Sequence, residues 1–136
     1  MRMRPKRAGH RARIVATPGD LAMFGEMLAD FGADRLRQIV GRAFVALQTH
    51  LTELRRVVSR AGDAEECARR LHSMRVEGFD AGFRDFSDAC RVCEQRARSG
   101  IALVKAEVEV LAEICQEARD RMERMLSVIS ANISRP

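Results

Sequence analysis

Apolar residues recur at helical intervals along most of this chain. From Leu36 they fall at Val40, Ala43, Leu47, Leu51, Leu54 and Val58, in alternating steps of four and three with one irregular step. That spacing keeps a single helical face apolar, so a long helix is expected from Asp34 to about Ser59. A shorter helix is expected before it over about 20–30, capped by Asp20 and carrying Leu21, Phe24 and Leu28, with Phe31-Gly32 as its break. Arg60-Ala61-Gly62-Asp63 reads as a turn. The next helix runs from about Ala64 to Phe79. Cys67, Leu71, Met74 and Gly78 point inward there, and Arg69, His72, Arg75 and Val76 lie on the other face. After a break flanked by Gly78 and Gly82, a helix over about 82–98 buries Phe83, Phe86, Cys90, Cys93 and Ala97. Ser99-Gly100 ends it with a C-terminal glycine. The last helix, about 101–131, repeats Val104, Val108, Leu111, Cys115, Ala118, Met122, Met125 and Ile129 as a heptad-like seam.

Short connections force neighbouring helices antiparallel. The expected fold is all-α: an up-down-up-down antiparallel four-helix bundle with a short extra N-terminal helix. The 136 residues suit one domain, divided into a basic flexible arm over 1–18 and a bundle over 19–133. With no Trp, no Tyr and six Phe, the core must be mostly aliphatic. No apolar run approaches the roughly 20 residues that span a bilayer. No apolar stretch follows the basic start as a secretory signal would require. A cytoplasmic protein without membrane insertion is therefore expected.

The formal charge of +5 suggests nucleic acid until its location is considered. Arg2, Arg4, Lys6, Arg7, Arg11 and Arg13 lie within residues 1–16, which contain no acid; 18 basic and 19 acidic residues remain, so the body carries about −1. The domain itself is not expected to bind nucleic acid. Arg55-Arg56, Arg69-Arg70 and Arg119, Arg121 and Arg124 are interspersed with acids and read as solvated faces. Met74, Met122 and Met125 read as core filling. Without a secretory signal the four cysteines are not expected to form disulfides. Cys90 and Cys93 form a CxxC on a helix, where a redox pair would need a strand-to-helix turn. All four thiols fall on buried stripes; they read as small hydrophobes, with a four-thiolate zinc site as the other option.

His72 carries the candidate chemistry. It follows inward Leu71 and precedes inward Met74, so it should point outward, where a neutral imidazole is nucleophilic near pH 7. Arg75, three residues on, shares its face and can pair with phosphoryl oxygens. His50 lies at the edge of the first long stripe and reads as core-edge packing. His10 lies in the basic arm.

The stretch Leu71-His72-Ser73-Met74-Arg75, then Gly82 ten residues after the histidine, then Phe86, Cys90, Cys93-Glu94 and Arg98, resembles the histidine-containing phosphotransfer (Hpt) family. That family's signature is a histidine, a basic residue three on and a glycine ten on. A following helix ends in an apolar-Glu pair and a basic residue before Gly. The resemblance covers roughly residues 20–126. It implies a phosphoryl carrier without autokinase activity or a cofactor of its own. A response-regulator receiver domain would present a phosphoaspartate and supply the Mg²⁺, and Nε2 of His72 would accept the phosphoryl group reversibly. The implied partners are receiver domains and a hybrid sensor histidine kinase, met by a monomer. Arg75 would stabilise the phosphoryl group, and Arg69, Val76, Arg91 and Arg98 would face the partner.

Two features depart from the family, which has Lys at the position of Arg75 and small residues just after it, where Val76 and Glu77 stand. A carboxylate near the histidine repels a phosphoryl group, although Glu77 lies about 140° round the helix from His72. These residues permit an alternative: an Hpt-like docking or inhibitory module that binds a kinase or receiver without accepting phosphate. A third reading, a nucleic-acid or membrane-surface binder acting through the basic arm, predicts steep salt dependence. No paired carboxylates or nucleophile-base pair point to an independent enzyme.

Overall fold

The computed structural model describes residues 18–134. Apart from Pro18, the expected basic arm lies outside the described residues. Those residues form five helices and no strand: α1 Pro18–Phe31, α2 Ala33–Ser59, α3 Ala64–Asp80, α4 Arg84–Arg98 and α5 Lys105–Ser134. None of them is long and apolar enough to cross a membrane.

Three helix starts differ from expectation, each for a local reason; α4 begins at Arg84 and not at 82 because Gly82, at φ 85°, lies outside helical geometry. Helix α1 begins at Pro18, so Asp20 sits in its first turn and not at the cap. Proline suits a first helical position, where its missing N–H would have had no partner anyway. Helix α5 begins at Lys105 and not at 101. Gly100, at φ 98°, closes α4 by donating its N–H to Ala97 O (3.0 Å), while Ile101 N–H reaches Arg96 O (3.0 Å). The chain then restarts where Glu107 Oε1 accepts the Val104 N–H at 3.0 Å, half of a capping box. Val104 is consequently 57% exposed and Leu103 takes its place in the core.

Helix α2 packs on α3 and α5, α4 packs on α3 and α5, and α1 lies on α2; the α3–α4 interface is the most extensive. Between α2 and α3, His50 meets Arg70 (3.2 Å), and Arg60 at the end of one meets Glu66 at the start of the other (2.6 Å). Arg55 of α2 holds Glu109 of α5 with two bonds of 2.8 and 3.1 Å. The Arg119 guanidinium stands 4.7 Å over the Phe44 ring.

The buried stripes fill the space between these helices. Leu36, Val40, Ala43, Leu47, Leu51 and Leu54 are buried on α2 as expected, but the stripe ends at Val57 while Val58 is only partly buried. The seam of α5 drifts likewise: Met122 is followed by buried Leu126, leaving Met125 and Ile129 half-buried. A helix turning every 3.6 residues makes such choices between steps of three and four depend on the facing helix. Arg121 corrects another expectation. It is buried, not solvated, with its guanidinium 3.5 Å from Asp85 of α4. Each fully buried leucine contributes about 1.5–3 kcal/mol.

The α3–α4 hairpin places the candidate site. Asp63 caps α3 by accepting the Glu66 N–H at 2.8 Å, worth about 1 kcal/mol. At the far end Gly82 adopts φ 85°, and Phe83 N–H folds back to Gly78 O at 2.8 Å. Gly78 lets the helices touch: a Cβ there would lie 2.8 Å from the ring of buried Phe86. The buried Ser87 hydroxyl donates to Arg75 O at 3.0 Å, fastening α4 to the backbone of α3 one turn beyond His72.

Candidate functional site

His72 and Arg75 project from α3 towards α4, where Glu94 and Arg98 meet them. The organising group is Glu94, whose side chain is only 8% exposed. Its Oε1 accepts from Arg75 Nε at 3.0 Å, and its Oε2 accepts two bonds from Arg98, 3.0 Å from Nε and 2.8 Å from a terminal nitrogen. His72 Nδ1 lies 3.1 Å from the same Oε2 and 2.9 Å from an Arg75 terminal nitrogen. Burial pushes the Glu94 carboxyl up, but the hydrogen bonds from Arg98 and Arg75 outweigh it and hold the group below the ordinary carboxylate range. The buried carboxylate therefore stays charged at neutral pH, and two guanidiniums leave the cluster net positive.

The imidazole is 48% exposed, and its Nε2 takes no hydrogen bond among the described residues. A ring fixed through one nitrogen and open at the other can act as a nucleophile or base towards a molecule arriving from solvent. The positive cluster behind it favours an anionic reactant.

The remaining candidates are more dispersed. Val76, 42% exposed, lines a groove of about 550 Å³ between α2 and α3 together with His72, Ile39, Arg42, Glu77 and Asp80. Glu77 turns towards α2, its Oε1 3.7 Å from His50 Nε2. Arg69, one turn before His72, is exposed and 3.8 Å from Glu65. Arg91 is exposed on α4 and takes no part in the Glu94 cluster. Arg98 joins the site through Glu94, to which it donates both of its bonds in the cluster.

Sequence reasoning assigned no role to Glu94 or Ser87. Glu94 stood in the quoted motif as half of an apolar-Glu pair, and its place one step past inward Cys93 was the available signal. Its burial follows from the arginines that cover it.

Cys67, Cys90, Cys93 and Cys115 are all buried free thiols. Burial pushes the Cys90 and Cys93 thiols up and Cys115 to about 12, so all three remain protonated at neutral pH. Among the described residues, no three His, Cys, Asp or Glu side chains gather to hold a metal ion. No protein-family model, curated protein or solved structure matches this chain.

Proposed function

We propose that this chain is a histidine phosphotransfer protein, a cytoplasmic carrier that takes a phosphoryl group on His72 and passes it between receiver domains. One observation carries this reading: a half-exposed helical imidazole with Nε2 open, whose other nitrogen sits against a buried, charged Glu94 flanked by Arg75 and Arg98. The opposed numbering of the cross-helix contacts supports an up-down-up-down antiparallel bundle with α1 as the extra helix. Residue 50 meets 70 and 60 meets 66; 72 meets 94 while 78 lies against 86; 85 meets 121; 55 meets 109 and 44 meets 119.

In this mechanism the partner brings the reactive phosphoaspartate and its Mg²⁺, and the chain supplies a positioned acceptor. When Nδ1–H donates to Glu94, Nε2 keeps its lone pair and forms the N–P bond as the P–O bond to the aspartyl carboxylate breaks. The leaving electron pair stays on that carboxylate, and the ring proton stays on Nδ1. Arg75 lies close enough to meet phosphoryl oxygens. The groove beside Val76 is the surface on which a partner settles. The pairing of Glu77 with His50 draws that carboxylate towards α2, which weakens the objection that it repels the incoming group.

Purified phosphorylated receivers from the same genome, mixed with wild type and His72→Ala, test the proposal. Acid-labile, alkali-stable label on wild type alone is the expected result. If no receiver transfers label and one binds both proteins equally, the chain is a docking module and the carrier reading fails.

A further inference from the structure

Two neighbours of His72 Nδ1 require opposite protonation states. The guanidinium of Arg75, 2.9 Å away, can only donate and needs a lone pair on Nδ1. The carboxylate of Glu94, 3.1 Å away, can only accept and needs Nδ1–H. One nitrogen satisfies one of them at a time. With Arg75 bonded, a neutral ring carries its proton on Nε2, and the exposed nitrogen has no lone pair in the ring plane. With Glu94 bonded, the proton sits on Nδ1 and Nε2 is the nucleophile.

The surrounding bonds decide between these forms. Glu94 Oε2, the atom nearest Nδ1, already accepts two bonds from Arg98, at 3.0 and 2.8 Å. Its capacity for a third is reduced. Arg75 meanwhile reaches Nδ1 from a side chain braced through Nε on Glu94 Oε1 at 3.0 Å, with its own backbone carbonyl held by Ser87 at 3.0 Å. We propose that Arg75 is a positioning residue that sets the tautomer of His72, holding the free protein in the Nε2–H form until the guanidinium is drawn off. Arg98 makes that departure tolerable, because Glu94 keeps a charged partner when Arg75 leaves.

This deepens the phosphotransfer reading and rests on it for its purpose. An incoming phosphoryl group offers Arg75 better acceptors than a neutral ring nitrogen. Once Arg75 moves to it, the ring proton transfers through solvent from Nε2 to Nδ1, where Glu94 accepts it. The Nε2 lone pair then attacks phosphorus and the aspartyl carboxylate leaves with its electron pair. No net proton is taken up or released. The acceptor is thus unreactive at Nε2 until its reactant has engaged Arg75.

Long-range ¹⁵N–¹H spectra of the histidine rings in the full ¹⁵N-labelled chain, recorded at alkaline pH where imidazoles are neutral, read the tautomer directly. The wild type is expected to show His72 Nδ1 as the unprotonated, pyridine-type nitrogen. Arg75→Met mimics the departed guanidinium and should exchange the two nitrogen types, whereas Arg75→Lys, which still donates, should restore the wild-type pattern. A wild type with protonated Nδ1 overturns the proposal, as does a folded Arg75→Met with the wild-type pattern. The backbone amide spectrum reports folding; should Arg75→Met fail to fold, Arg75→Ala takes its place with the same expected exchange, because only loss of the guanidinium separates its effect from the ordinary preference of a neutral imidazole for Nε2–H. No partner or phosphoryl donor is present, so this result is independent of whether a receiver phosphorylates His72.

Discussion

The bundle contains two helical histidines with the same kinds of neighbours, an arginine and a glutamate. His50 on α2 lies against Arg70 at Nδ1 (3.2 Å) and faces Glu77 at Nε2 (3.7 Å), so both ring nitrogens are directed at the protein. His72 on α3, its side chain half-exposed, bonds through Nδ1, and its Nε2 takes no hydrogen bond among the described residues. Their carboxylates differ just as much. The Glu77 side chain is 38% exposed and turned to a groove, whereas Glu94 is almost wholly covered and held by two arginines. Residue identity does not separate the two histidines. The difference lies in which nitrogen remains open and how firmly the group behind the ring is fixed.

The contrast is broken most directly by removing each ring. His72→Ala should abolish acid-labile label from a phosphorylated receiver, while His50→Ala should retain most of it. Equal loss in both would mean that His50 has a role the geometry does not give it. Next come the carboxylates. Glu94→Ala should slow transfer by about a hundredfold, the upper range for losing a group that orients a reactive imidazole. Glu77→Ala, which removes a half-exposed pair, should change it by no more than about fivefold. Rapid-quench phosphorylation rates compare the two.

The frame that holds the site is the next target. Gly78→Ala forces a methyl into the ring of buried Phe86, so denaturant unfolding should show a loss of about 1–3 kcal/mol. Acid should then test the charged state of Glu94. Because the Glu94 pKa is lowered by folding, its stabilising contribution is present above the ordinary carboxylate range and is lost as pH falls through the folded value. The stability gap between wild type and Glu94→Gln should therefore be widest near neutrality and shrink in acid. A gap that grew on acidification would contradict the charged, paired Glu94. The smallest effect is expected away from both histidines. Ala61 holds φ 54° between α2 and α3, so Ala61→Gly should stabilise the chain by about 1 kcal/mol, seen as a rise in Tm with transfer unchanged.

Much of this arrangement was legible in the sequence. Leu36 to Leu54, Cys67 to Gly78 and Phe83 to Ala97 lie in the core as the periodicity required, because a helix that hides apolar surface must repeat it at helical spacing. His72 and Arg75 share the expected face, and Arg98 reaches the same cluster. What escaped depends on the facing helix. Val57 replaces Val58 and Leu126 outweighs Met125 because neighbouring helices select among near-equivalent steps. Val104 left the core because Glu107 caps the helix at that point. Glu94 and Arg121 are charged residues covered by partners 19 and 36 positions distant, Arg75 and Asp85. No local pattern reveals such a partner. Arg91 and Arg69 shared the periodicity of the site residues but not their contacts, since exposure on a neighbouring turn is not convergence on one atom.

The four cysteines give the bundle an internal clock. Thiol reagents capture thiolates, and these sulfurs are covered and, for three of them, held protonated by their surroundings. Capture must wait for a helix to lift, so the rate at which each sulfur is trapped counts the openings of its own segment. Cys67 times α3, Cys90 and Cys93 time α4, and Cys115 times α5, with no foreign label added to the chain.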